Sequence, residues 1–227
     1  VERTGIRTRH LVKEETTTSM AVRASVQALE RAGMKAEEID LLIVATITGD
    51  TETPSTSCRV QAEIGAHRAV AFDVNAACSG FLYGMHIAGA FIRSGIYRNA
   101  LVIGSETMSK IIDWTDRSTC VLFGDGAGAA VLAGTEEPGI LSQIVGSNGG
   151  KWEVLECQGR PNENPLNKEE RKPGYLTMNG QEVFKFAVKT VPVCVEEALE
   201  KAGVAADEVK YFLLHQDLSC HESRPSI

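Results

Sequence analysis

Three runs of this chain leave it little choice of architecture. Leu41-Leu42-Ile43-Val44-Ala45-Thr46, Val70-Ala71-Phe72-Asp73-Val74 and Ala100 to Gly104 are apolar at nearly every position. A strand that is apolar on both faces must be covered on both, which is the condition of a parallel sheet flanked by helices. The intervening segments supply those helices. Ser19 to Ala32 carries Met20, Val22, Val26 and Leu29 near helical spacing and stops at Gly33. Pro54 opens a second helix running through Val60 to Ile64 and closed by Gly65, and Phe81 to Gly95 forms a third. Strands alternating with helices over short links predict an α/β fold on a largely parallel sheet. Further on, Cys120–Phe123 and Ala129–Leu132 flank Gly124-Asp125-Gly126-Ala127-Gly128 and read as two strands joined or bent by glycines, with Ile140–Val145 as one more strand. Residues 147–174 turn polar, with prolines at 161, 165 and 173. So long a loop in a compact domain reads as a functional or variable insertion.

The chain also repeats itself. Ala28-Leu29-Glu30-Arg31-Ala32-Gly33 returns as Ala198-Leu199-Glu200-Lys201-Ala202-Gly203, an offset of 170 residues (198 − 28). At the same offset Glu37-Glu38-Ile39 matches Asp207-Glu208-Val209, and the strand Leu41–Val44 matches an apolar run Tyr211–Leu214. Two similar α/β halves would produce this pattern; two unrelated amphipathic helix–strand units are the alternative.

Composition excludes several functions. A net charge of −7 argues against nucleic acid, whose phosphates need a basic face. It also means that an acidic protein partner would need a local basic patch. No apolar run reaches the roughly 18 residues of a membrane span. Six cysteines lie far apart, without a CxxC pair or a secretory leader, which suits reduced thiols in a cytoplasmic setting. The chain opens at Val1 without a Met, so a longer N-terminus is expected.

Reactive chemistry concentrates at Asn75-Ala76-Ala77-Cys78-Ser79-Gly80-Phe81, between a predicted buried strand and a predicted helix. A thiol at a strand-to-helix turn feels open N–H groups and the positive end of the helix dipole, both of which favour thiolate. Its small neighbours leave room for a thioester, a sulfur counterpart of the nucleophile elbow of serine hydrolases. An inert buried cysteine is the alternative. Among candidate partners, His10 lies in the N-terminal segment, His67 in a loop, and His86 within the helix after Cys78. His215 ends the apolar run Tyr211–Leu214, and ligands of open α/β sheets gather beyond the carboxyl ends of strands. A structural hydrogen-bonding role is the alternative for it.

Taken in order, Arg3-Thr4-Gly5-Ile6, Pro54-Ser55, Phe72 through Phe81, Asp116-Arg117-Ser118-Thr119, Phe123 through Ala129 and Val183-Phe184-Lys185 resemble β-ketoacyl-acyl carrier protein synthase III, of the thiolase-like superfamily. The match runs from Val1 to about Gln216. The resemblance implies a thiolase-like α/β fold of two pseudo-symmetric halves, with the first half complete or nearly so and the second truncated. It implies a decarboxylative Claisen condensation of an acyl-CoA, typically acetyl-CoA, with malonyl-acyl carrier protein. Cys78 would accept the acyl group, with its own N–H as half of an oxyanion hole, and His215 would assist decarboxylation. Arg3 would contact the coenzyme A phosphates and Arg117 would pack on its adenine, roles that suit a forked, planar guanidinium; surface ion pairs are the alternative. Lys185 would dock the carrier protein. Thr53 would reach into the acyl pocket of the other subunit of a homodimer. No cofactor beyond the coenzyme A thioester substrate, and no metal, is implied.

The chain departs from that family after Gln216, where Asp217 to Ile227 lacks apolar periodicity. The expected organisation is residues 1–173 as the N-terminal half, with the polar insertion near 147–173. Residues 174–216 begin the second half, and 217–227 form a tail foreign to the family. On this reading the family's catalytic asparagine and second oxyanion donor are absent. Condensation is expected to be impaired, and an inactive fragment acting as an interaction partner is the alternative. Related hydroxymethylglutaryl-CoA or polyketide synthases are disfavoured by the glycine-rich segment and Arg3–Ile6. A dinucleotide fold is disfavoured because the glycines lead into a β-like run and not a helix. His215, Cys220 and His221 are too few for a metal site.

Overall fold

The computed structural model describes residues 6–137, 139–162, 164–167 and 174–215. Arg3, Gln216 and the tail 217–227 therefore lie outside the described residues. Two compact units divide the chain: one comprises His10–Lys110 and Gly124–Val145, the other Ile111–Phe123, the residues from Gly146 onward and a short segment ending at Arg9.

The first unit is built on four strands: β1 (Leu41–Ala45), β2 (Val70–Val74), β3 (Asn99–Thr107) and β4 (Asp125–Ala133). Their order is β2-β1-β3-β4, with β1 parallel to β2 and β3, and β4 antiparallel to β3. The apolar runs of β1 and β3 follow from this, whereas β2 lies at the sheet edge with Val70 exposed and Ala71–Val74 only half-buried, so the expected burial on both faces does not hold there. Leu42, Val44, Leu101 and Ile103 join Ala21, Leu29 and Val60 from α1 (Thr17–Ala32) and α2 (Thr56–Ile64) on one face. Leu41, Ile43, Ala100 and Val102 pack with Phe81, Met85 and Ile92 of α3 (Gly80–Arg93) on the other. Leu42, Ile43 and Leu101 are wholly buried, each worth about 1.5–3 kcal/mol relative to exposure.

Helix α1 begins at Thr17, two residues before the sequence-predicted start. Thr16 and Ser19 form a reciprocal capping box, with N–H to Oγ distances of 2.8 and 3.2 Å. The Asp50 carboxylate accepts the Thr17 and Thr18 N–H groups at 3.1 and 2.9 Å. Capping by a side chain 32 residues away is not visible in a local pattern.

Two predicted strands differ in the structure. Cys120–Phe123 is a series of turns because Asp116 offers competing bonds: its carbonyl accepts from the Cys120 N–H at 3.0 Å and its carboxylate from Ser118 N–H at 2.8 Å. Gly126 and Gly128 instead belong to β4 itself, which starts at Asp125 and pairs with β3 over nine residues. Ile140–Val145 is not a strand; Ile140, Leu141 and Val145 are exposed, without the sheet neighbours that realise β propensity.

In the second unit the polar stretch contains structure. A 3₁₀ segment over Gly149–Val154 leads into β5 (Leu155–Cys157), which pairs antiparallel with β6 (Leu176–Met178). Helix α4 (Gly180–Ala202) follows, its N-terminus capped by Asn179. Phe184, Phe186, Val188, Val191 and Val193 of α4 are exposed.

The repeat is realised in three dimensions. Gly33 and Gly203 end α1 and α4 in the left-handed conformation, at φ 63° and 67°. Met34 N–H reaches Leu29 and Val204 N–H reaches Leu199, both at 3.1 Å. Glu38 and Glu208 then each accept a backbone N–H, from Lys35 and Ala205, at 2.8 Å. The match ends there. Leu41–Ala45 is a central strand, whereas Tyr211–Leu214 is exposed coil, with Leu213 95% exposed. A strand requires a ladder, and among the described residues none pairs with it.

Candidate active site

β2 ends at Val74, and the chain then turns through Asn75 and Ala76 into a single 3₁₀ turn, Ala77–Ser79, that runs directly into α3. Ala77 carries φ 44°, the one non-glycine residue with positive φ among the described residues. An alanine there stores about 1–2 kcal/mol of strain, a cost that persists only where the surroundings over-determine the backbone. The turn leaves Cys78 exposed, two residues before the first residue of α3. The Ser79 side chain does not cap that helix start, and its first turn carries no acidic residue, so the N–H groups there favour negative charge.

Two glycines seat the turn. A Cβ on Gly80 would lie 2.9 Å from Ala45 Cβ, and one on Gly84 would lie 2.9 Å from Val102 Cγ1. Their missing side chains bring α3 onto the end of β1 and the middle of β3. Gly80 therefore serves close packing on the sheet, where sequence reasoning assigned it to space around the thioester. The last rung beneath the turn is the Thr46 N–H donating to Val74 O at 3.2 Å.

Beside that rung lies a residue the sequence reading passed over. Glu106, near the end of β3, accepts from Ile47 N–H at 2.9 Å, Thr46 Oγ1 at 3.2 Å and Thr48 Oγ1. Burial raises its carboxyl above the usual glutamate range, against the opposing pull of the Thr48, Ile47 and Thr46 donors. The available signal was an acidic residue closing an otherwise apolar strand. Asp73, on β2, caps α2 by accepting the Thr56 and Ser57 N–H groups, both at 2.8 Å.

Arg117, Lys185 and His215 lie in the second unit, Thr53 lies in the first, and Arg3 lies outside the described residues. Arg117 is exposed on a turn set by Asp116, whose carboxyl is held low by the Ser118 hydroxyl and N–H. Asp113 and Asp116, with Gln158 and Gly174–Thr177, line a cavity of about 300 Å³. Lys185, on the first turns of α4, is ion-paired with Glu182 at 2.7 Å, and Lys151 pairs with the same carboxylate at 2.7 Å. These two lysines bring the Glu182 carboxyl down to about 2. Lys185 is thus part of a basic pair around one acid, a feature its sequence neighbours did not reveal. His215 is exposed at the end of the coil 211–215. Thr53 is exposed before Pro54 in the first unit. Among the described residues no cluster of three or more His, Cys, Asp or Glu could hold a metal, and no helix is long and apolar enough to cross a membrane.

Residues 72–149, which include the Cys78 turn, match the family model for 3-oxoacyl-[acyl-carrier-protein (ACP)] synthase III. The chain is 48% identical over 216 residues to the β-ketoacyl-[acyl-carrier-protein] synthase III of Clostridium novyi, covering 95% of this chain and 67% of that protein. It is 49% identical to the Clostridium perfringens enzyme, over 94% of this chain and 67% of the other. The crystal structure of 3-oxoacyl-[acyl-carrier-protein] synthase III from Aquifex aeolicus superposes with a TM-score of 0.83 at 46% identity, over 92% of this chain and 64% of that one. The chain thus spans about two thirds of the length of these relatives, and on that stretch it has their α/β thiolase-like fold. It belongs to the β-ketoacyl-[acyl-carrier-protein] synthase III family.

Proposed function

We propose that this chain carries the acyl-accepting step of a decarboxylative condensation that starts fatty acid synthesis. The observation that carries the reading is the exposed Cys78 on a strained turn just before α3. There the Cys78 sulfur, as thiolate, attacks the carbonyl carbon of an acyl-CoA thioester. The tetrahedral oxyanion accepts the Cys78 N–H, and coenzyme A leaves as its thiolate, taking a proton from solvent. The small Ala76, Ala77 and Ser79 leave space for the bound acyl group.

In the second step malonyl-acyl carrier protein loses carbon dioxide. The enolate formed attacks the Cys78 thioester carbonyl, and the cysteine sulfur departs. His215 is the residue proposed to assist decarboxylation, and Arg3 and Arg117 to hold coenzyme A. Lys185, with its neighbour Lys151, supplies the local basic contact that an acidic chain needs for an acidic carrier. Acetyl-CoA is the proposed first substrate, and a homodimer the proposed assembly, with Thr53 reaching the partner's pocket. Residues 1–173 and 174–216 are proposed as the two halves of the family fold.

A second reading, in which the chain serves as an interaction partner, is favoured by the exposed apolar side chains along α4 and at Tyr211–Leu214. Coenzyme A release separates the two. The chain mixed with acetyl-CoA is expected to release coenzyme A in one stoichiometric burst, with little further release when malonyl-acyl carrier protein is added, because condensation is expected to be impaired. No burst from the folded chain would support the interaction reading.

A further inference from the structure

Strand alternation places Glu106 on the Cys78 side of the sheet. Leu101 and Ile103 of β3 face α1 and α2, and Ser105 and Thr107 continue that face by bonding to Thr17 at 2.7 Å each. Ala100 and Val102 face α3, Gly104 lies 3.6 Å from the Phe81 ring when given a Cβ, and Glu106 is next on that face. Gly104 is in register with Ala45, the residue on which Gly80 sits. The three donors to Glu106 come from the residues directly after Ala45. Thr46 also makes the last rung to Val74, where the turn bearing Cys78 begins.

We propose that Glu106 is a positioning residue: its carboxylate fixes Thr46–Thr48 and, through the Thr46–Val74 rung, holds the strained Ala77–Cys78 turn in its reactive geometry. The inference rests on reading Cys78 as the acyl acceptor. The chemistry is directional. An ionised carboxylate accepts from all three donors. The Ile47 N–H reaches Oε1 and both threonine hydroxyls reach Oε2; once Oε2 is protonated it donates to one threonine, whose hydroxyl must rotate to accept, and one donor to the carboxylate is lost. Protonation therefore loosens the segment, and burial places that change above the ordinary glutamate range.

Other ionisable groups on the surrounding elements are already engaged or lie further along. On β4, Gly126 is the cross-strand neighbour of Glu106, and Asp125 beside it accepts from Val12 and Ser109 N–H groups. In the loop after β1, Asp50 bonds to α1 and pairs with Arg59 and Lys110. On β2, Asp73 caps α2. On α3 the groups are Tyr83 at the end of the first turn and His86 and Arg93 beyond it, and Cys78 precedes the helix. Among the described residues Glu106 forms no ion pair.

The test is iodoacetamide alkylation of the full chain from about pH 5 to about pH 9, read on the peptide containing Cys78. In the unsubstituted chain, reactivity is expected to fall about tenfold further on the acid side than the thiol's own ionisation requires, as a second step. Glu106→Gln, which cannot titrate, is expected to lack that step. Thr46→Val, which removes one donor to the carboxylate, is expected to move the step up by about half a pH unit or more. A purely structural Glu106 would produce neither change. Superimposable profiles for Glu106→Gln and the unsubstituted chain, or an unmoved step in Thr46→Val, would overturn the inference; the second variant carries the test if the first does not fold. Acetyl transfer from acetyl-CoA is followed on the same samples. A pH step without acetyl transfer would sink the acyl-acceptor reading and leave the positioning role standing.

Discussion

Gly80 is where packing and chemistry meet most closely, so Gly80→Ala is an informative substitution. The added Cβ would lie 2.9 Å from Ala45 Cβ and 3.8 Å from Ala45 Cα. Neither atom can swing aside, because Cβ is fixed to the backbone of a buried central strand. Relief requires α3 to lift from the sheet or β1 to bend. Overpacking of this kind costs about 1–3 kcal/mol. The gain of up to about 1 kcal/mol that alanine brings to a helix interior is not fully available at the first helical residue. The net expectation is a loss of about 1–3 kcal/mol. Gly84→Ala is the comparator: its Cβ also meets a neighbour at 2.9 Å, the stiff β-branched Val102, but within the helix it recovers the propensity term. Its net cost is expected to be smaller, about 0–2 kcal/mol. Urea unfolding at constant m value measures both. Because Gly80 lies two residues after Cys78, its variant is also expected to slow acetylation at least tenfold, a misplacement effect of about 1 Å or less. A Gly80→Ala chain with unchanged urea midpoint and unchanged acetylation would refute the seating of α3 described above.

Further outcomes follow from the same contacts. Asp73→Ala removes the acceptor of two N–H groups at the start of α2 and is expected to lower stability by about 1–2 kcal/mol by urea unfolding. Glu106 has a raised folded pKa, so its contribution favours the fold at pH below the ordinary glutamate value and is lost as pH rises through the folded value. Replacing it by glutamine is therefore expected to improve relative thermal stability progressively with rising pH; a pH-independent difference would contradict this. Glu182 is the opposite case, its carboxyl depressed to about 2 by Lys151 and Lys185. Its contribution is present above the ordinary value and lost as pH falls toward about 2. An NMR titration of its side-chain carbonyl is expected to show a midpoint well below that of an unpaired glutamate, rising when both lysines are replaced by methionine.

The parts of the fold legible in the sequence were those encoded by burial and local stops. The apolar runs of β1, β2 and β3 and the glycines after α1 and α2 marked elements that the structure contains. What escaped was decided by distant partners. Asp50 and Asp73 cap helices far from them in sequence, and Asp116 turns Cys120–Phe123 away from a strand. The run Tyr211–Leu214 has strand composition but no strand beside it among the described residues. At the site, the strand-to-helix position of Cys78 was readable from its flanks. The strain at Ala77, the seating role of Gly80 and the triple acceptor Glu106 depend on atoms brought together only by the sheet.

Intact mass after incubation with acetyl-CoA, with Cys78→Ser alongside, tests the central claim most directly. The account requires a gain of one acetyl group, located on the Cys78 peptide and absent from the variant. A folded chain that gains no acetyl group, or gains it equally in Cys78→Ser, would contradict it.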